Sequence, residues 1–150
     1  MPELAEVEIV KRGLEPRLGG VLLDLTVKRD DIYRVFDPVK SLDQLVNSKL
    51  VEIHRHGKYL LFVFSKPDVP TDEDLILLIH LGMTGKLVYI SSEDMSLSSM
   101  QDIIRHKHTH LVFHFDKGIL VFNDVRRFGK VRLFNRNLLY KTPLTLSKLG

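Results

Sequence analysis

The chain has 150 residues, 44% hydrophobic and 27% charged, with a net charge of +3. That length suits one domain able to bury about 68–70% of its unfolded surface, and the composition excludes a disordered or fibrous chain. It contains no cysteine, which excludes a disulfide framework or a cysteine-based zinc site, and neither a membrane span nor a signal peptide is expected.

In chain order, Val7, Val10, Leu14 and Leu18 recur at helical spacing, and Gly19-Gly20 supplies a stop. A first helix is therefore predicted from about Ala5, with Pro2 and Glu3 just ahead of it. Residues 21–29 alternate as a strand. Ser41 is suited to cap a short helix carrying Leu42, Leu45 and Val46. Strands are predicted over 50–54 and 59–64, on either side of a turn at Gly57, followed by a polar loop over 66–74. Two more, 75–81 and 86–90, are joined by Gly82-Met83-Thr84-Gly85. Residues 91–101 read as a polar, irregular excursion with some helical character. Asp116-Lys117-Gly118 marks a hairpin between strands 109–115 and 119–123, residues 130–134 form a last strand, and 136–150 resemble a linker. About eight short strands after one good helix predict a mainly β (α+β) fold, a two-layered β-sandwich with flanking helices, the first at the N-terminus.

Charge is unevenly spread. Residues 105–141 hold nine Lys or Arg against Asp116 and Asp124, a surplus of seven, which leaves the rest of the chain at −4. A basic carboxy-terminal third on a mildly acidic body suits a polyanionic partner, although basic loops are often simply solvated.

Several residues invite chemistry. If Met1 is removed, Pro2 becomes a secondary amine with Glu3 and Glu6 close behind it. An α-amino group of pKa roughly 7.7–8.0 is partly unprotonated near neutrality, so it can form a Schiff base while a carboxylic acid moves protons beside it. The plain alternative is that proline merely opens a helix. Lys58 begins an apolar strand, where it guards a sheet edge or meets a phosphate as a point charge. His80 ends another strand, and Met83 sits in a glycine loop. His106, His108, His110 and His114 alternate opposite Leu111, Phe113 and Phe115. With no cysteine and no carboxylate beside them they imply no metal, and they mark an outer or groove-facing side.

Four motifs occur in fixed order: Pro2-Glu3-Leu4 with Glu6-Val7-Glu8, His56-Gly57-Lys58-Tyr59, His80-Leu81-Gly82-Met83-Thr84-Gly85, and Asn123-Asp124-Val125-Arg126-Arg127-Phe128-Gly129. Together they closely resemble the formamidopyrimidine-DNA glycosylase and endonuclease VIII family, over its N-terminal catalytic domain. The resemblance implies a bifunctional DNA glycosylase and AP lyase, with Pro2 as nucleophile, Glu3 as acid and Glu6 as a second nearby carboxylate. Lys58, counted with the catalytic set, and His80 would hold phosphates. Met83, Arg126 and Phe128 would fill the stack vacated by a flipped base, and Arg127 is left as a solvated charge or phosphate contact. The family usually has proline where Ala5 stands, an exchange of little cost in a helix.

The same resemblance assigns 1–135 to the catalytic domain and 136–150 to the start of a linker. The helix–two-turn–helix and zinc-finger domain would lie beyond Gly150, so no cofactor is expected in this chain. The implied partner is double-stranded DNA with oxidised bases or abasic sites, bound by a monomer, away from membranes. The cytoplasm of a bacterium, at the nucleoid, or the nucleus of a eukaryote is the expected location. The isolated domain is expected to be inactive or nearly so. Two alternatives stay open: a catalytically dead DNA-binding domain, and a small-molecule enzyme with an N-terminal proline.

Overall fold

A computed structural model describes residues 4–82, 84–125 and 130–137. The elements are α1 (Leu4–Leu14), β1 (Leu22–Val27), β2 (Tyr33–Val35), β3 (Lys49–His56), β4 (Tyr59–Ser65), β5 (Leu75–His80) and β6 (Gly85–Ser91). They continue as α2 (Leu97–Arg105), β7 (Thr109–Phe115), β8 (Gly118–Asp124) and β9 (Lys130–Asn135). The strands form two sheets, ordered β1-β7-β8-β6 and β2-β9-β5-β4-β3. The two-layered sandwich is as expected, with nine strands among the described residues rather than eight. The additional one, β2, is three residues long and pairs parallel to β9, too short to show a period-two pattern in sequence.

The sandwich closes because both sheets offer large side chains to the space between them. Leu60 and Phe62 from β4, Leu77 and Ile79 from β5, and Leu133 from β9 meet Leu111, Phe113 and Phe122 of the other sheet, all buried. Alternation sends Leu61 and Val63 to the opposite face, where they cluster with Ile76, Leu78 and Phe134. A strand buried on both faces reads as an unbroken apolar run, which is what Tyr59–Ser65 shows.

Two expectations at helices need correction. Leu18 is not on the first helix: α1 ends at Leu14, passes into a 3₁₀ turn over Glu15–Arg17, and leaves Leu18 41% exposed. Pro16 has no N–H to continue the ladder and disfavours helical backbone at the residue before it, so the stop comes ahead of Gly19-Gly20. The excursion after β6 is more ordered than its polarity suggested. The Ser96 hydroxyl accepts from the Ser99 N–H at 3.1 Å and caps α2. Met100, Ile103 and Ile104 then cover Val112, Ile119 and Val121 on the outer face of the four-stranded sheet. Reading the segment only as far as Gln101 severed the polar cap from that apolar face.

The short helix after Ser41 is a 3₁₀ turn over Leu42–Leu45, with both leucines buried. At the far end, the Arg136 guanidinium lies 3.4 Å from Asp74 Oδ2 and 3.4 Å from Glu52 Oε2, fixing the exit from β9. No helix among the described residues is long and apolar enough to cross a membrane.

Candidate functional site

Antiparallel registers bring three connections to one end of the sandwich. Tyr59 pairs with His80 and His80 pairs with Lys130, so the turn carrying Lys58, the end of β5 and the start of β9 lie in a row. On the facing sheet Gly85 pairs with Asp124, which brings the end of β8 to the same end. The β3–β4 turn is made by Gly57 at φ 61°, a left-handed position that suits glycine. Between β5 and β6, the Gly85 N–H donates to the Leu81 carbonyl at 2.8 Å. A β-carbon on Gly85 would overlap that carbonyl, so the turn can close this tightly only with glycine there.

His80 is half-buried at the hub of this row. Its Nδ1 accepts the Gly82 N–H at 3.1 Å, and its ring lies tilted against Tyr59 with centroids 4.9 Å apart. Burial, and then the positive charges of Lys130 and Lys58, hold its pKa below the ordinary histidine value. With Nδ1 used as an acceptor, the neutral ring carries its proton on Nε2. The histidine is therefore a neutral donor set among cations.

Lys58 is half-buried beside it, and Lys130 opens β9 on its other side. Sequence reasoning missed Lys130, because its pairing with His80 spans fifty positions and has no local signal.

Helix α1 reaches the same end. Glu6, exposed in its first turn, lines a cleft of about 310 Å³ with Val10, Leu81, Thr84, Gly85 and Lys86. Arg55 ties the helix to the β3–β4 turn: Nε donates to Glu8 Oε1 at 3.0 Å and Nη1 donates to the Gly57 carbonyl at 3.2 Å. The Arg55 hydrogen bond is the main influence holding the Glu8 carboxyl below its usual range. One guanidinium thus links the helix that follows the first residues to the turn that presents Lys58.

The histidine row is not uniformly outward. His106 is exposed and His108 half-buried, but His110 is only 2% exposed. A register shift between Thr109 and Leu111 in the β7–β8 pairing interrupts the alternation and turns His110 inward. His114 does face the outer side, where its Nε2 lies 2.7 Å from Thr26 Oγ1.

Of the predicted site residues, Glu6, Lys58 and His80 fall at one end of the molecule. Pro2, Glu3, Met83, Arg126 and Phe128, with Arg127, lie outside the described residues.

The family model for the formamidopyrimidine-DNA glycosylase N-terminal domain matches residues 1–131. A formamidopyrimidine-DNA glycosylase of Bartonella quintana is 37% identical over 157 aligned positions, covering 100% of this chain and 50% of that protein. One from Desulforamulus reducens is 38% identical over 136, covering 89% and 43%. Among solved structures, Lactococcus lactis Fpg in complex with abasic-site DNA superposes with a TM-score of 0.75 at 31% identity, covering 98% of this chain and 48% of that one. The complex of the L. lactis protein with Fapy-dG DNA gives 0.74 at 32%. The chain therefore spans about half the length of the relatives it matches. By its motifs, its sandwich and these likenesses, the chain belongs to the formamidopyrimidine-DNA glycosylase family, matching that family's N-terminal domain.

Proposed function

We propose that this chain is the N-terminal catalytic domain of a bifunctional DNA glycosylase and AP lyase acting on oxidised bases in duplex DNA. The observation that carries the proposal is the row of Lys58, His80 and Lys130, set beside the helix whose first turn carries Glu6. In the proposed reaction the Pro2 nitrogen attacks the sugar C1′, and the bond to the base breaks. Glu3 delivers the proton that leaves with the base. Loss of the amine proton with ring opening gives an iminium, which acidifies C2′ and permits elimination of the 3′-phosphate. Glu6 is a second carboxylate beside that chemistry.

Lys58 serves as a point charge on a phosphate and His80 as a neutral Nε2–H donor. Met83, Arg126 and Phe128 occupy the gap left by the extruded nucleotide, whose unstacking costs a few kcal/mol. Residues 1–135 form this domain, and 136–150 begin a linker to a helix–two-turn–helix and zinc-finger domain that supplies the remaining phosphate contacts. Double-stranded DNA in the bacterial cytoplasm is the proposed setting.

Salt dependence separates the roles of Lys58 and His80. Binding to a duplex with a tetrahydrofuran abasic analogue is measured across a salt series. Lys58→Gln is expected to reduce the slope of log affinity against log salt by about 0.9, the contribution of one neutralised phosphate. His80→Ala is expected to weaken binding by about tenfold, the scale of one hydrogen bond, at every salt concentration and with the slope unchanged. An affinity that ignores salt would remove DNA as the partner and favour a small-molecule enzyme with an N-terminal proline.

A further inference from the structure

Asp124, the last residue of β8, is fully buried, and its N–H, its carbonyl and one carboxylate oxygen are each engaged across a strand or loop. Its N–H donates to the His108 carbonyl at 2.9 Å, and its own carbonyl accepts from His110 Nε2 at 2.7 Å. A carbonyl can only accept, so His110 carries a proton on Nε2. The inward turn of His110 at the β7 irregularity is what brings that donor to Asp124. The backbone of Asp124 is thereby pinned to β7 from two sides. Its carboxylate points the other way, where Oδ1 accepts the Thr84 hydroxyl.

Thr84 directly follows Met83, and Asp124 stands two positions before Arg126. A carboxylate taken out of water is costly unless it is well hydrogen-bonded. An apolar residue would suffice if this position only filled space.

We propose that Asp124 is a positioning residue that couples the turn carrying Met83 to the loop carrying Arg126 and Phe128, so that the two insert into a duplex as one body. This rests on the reading that those three side chains fill the vacated stack. Coupling matters because each separately mobile segment bears its own ordering entropy when it inserts, whereas a segment already tied to an ordered neighbour bears less. The Thr84–Asp124 hydrogen bond extends the Gly85–Asp124 strand pairing into the turn as a side-chain link, and the His108 and His110 contacts are its anchor.

The test has one arm without DNA and one with it. In the free chain, amide hydrogen exchange is followed at residues 84–86 and at 125 and 130. Thr84→Val keeps the side-chain shape and removes the hydroxyl. It is expected to speed exchange about tenfold in both segments, the scale of one buried hydrogen bond, while amides of β4 stay at parental rates. Asp124→Asn keeps Oδ1 as an acceptor for Thr84 and is expected to stay close to the parent. Faster exchange at 84–86 alone would overturn the coupling.

With the abasic-analogue duplex, Met83→Ala and Phe128→Ala are expected to be non-additive in affinity in the parent and additive in the Thr84→Val background. Additivity in both backgrounds would overturn the proposal. If neither substitution changes affinity, the stack-filling reading fails on its own, and the exchange arm alone decides the coupling.

Discussion

Exchanging Glu3 for glutamine is expected to slow release of an oxidised base by about 10²–10⁴-fold, the range attributed to one positioned general acid. The base departs as a poor leaving group unless a proton reaches it, and glutamine cannot supply one. An abasic site has no base left to expel, so the same variant is expected to form its adduct with abasic DNA at close to the parental rate. Single-turnover excision by the full-length protein, in large excess over duplex and at low salt, reads both steps. Equal loss at both would move Glu3 from acid catalysis to simple positioning of the amino terminus. No loss at either would remove it from the mechanism.

The second large effect concerns the scaffold that holds the site together. Phe113 is fully buried at the centre of β7, facing the opposing sheet between partners Leu25 and Leu120. Its truncation to alanine is expected to cost about 3–5 kcal/mol in lost burial and cavity formation, out of a total stability of about 5–15 kcal/mol. At roughly 2–4 °C per kcal/mol for a domain of this size, the melting temperature should fall by about 10 °C or more. Val88, 45% exposed on β6, is the control, and its truncation should stay within about 0.5 kcal/mol. Equal melting temperatures for the two variants would mean that the two sheets do not pack as described. The connections bearing Lys58, Thr84 and Asp124 issue from both sheets, so loosening the sandwich should also weaken duplex binding.

The parts of this fold that were legible in the sequence are those encoded by local contrast. The run of β4 announced itself because both its faces are covered. The hairpin at Asp116-Lys117 announced itself because turn residues sit between two alternating strands. Periodicity alone places Leu18 on the first helix, but Pro16 ends that helix earlier, because one missing donor outweighs a well-placed leucine. Helix α2 was missed as a full element because its cap and polar face dominate the window in which it begins.

At the site, Lys58 and His80 were found through motif order rather than through any property of a lone lysine or histidine. Lys130 and the Thr84–Asp124 contact escaped because both are products of strand register, joining residues forty to fifty positions apart. The inward turn of His110 escaped for a related reason, since an irregularity in pairing leaves alternation intact in the sequence and breaks it in space. The electrostatic character of His80, a neutral donor between two lysines, likewise comes from neighbours that only folding supplies.

The central claim is that a free imino group at residue 2 forms the covalent bond to the sugar, and borohydride trapping on an abasic-site duplex tests it most directly. Two preparations of the full-length protein are compared at low salt: one whose terminus is shown by mass spectrometry to be Pro2, and one in which Met1 is retained and acetylated. The account predicts a trapped adduct with the first, mapped by peptide sequencing to Pro2, and none with the second. Equal trapping with both, or an adduct mapped to Lys58 or another lysine, would contradict it.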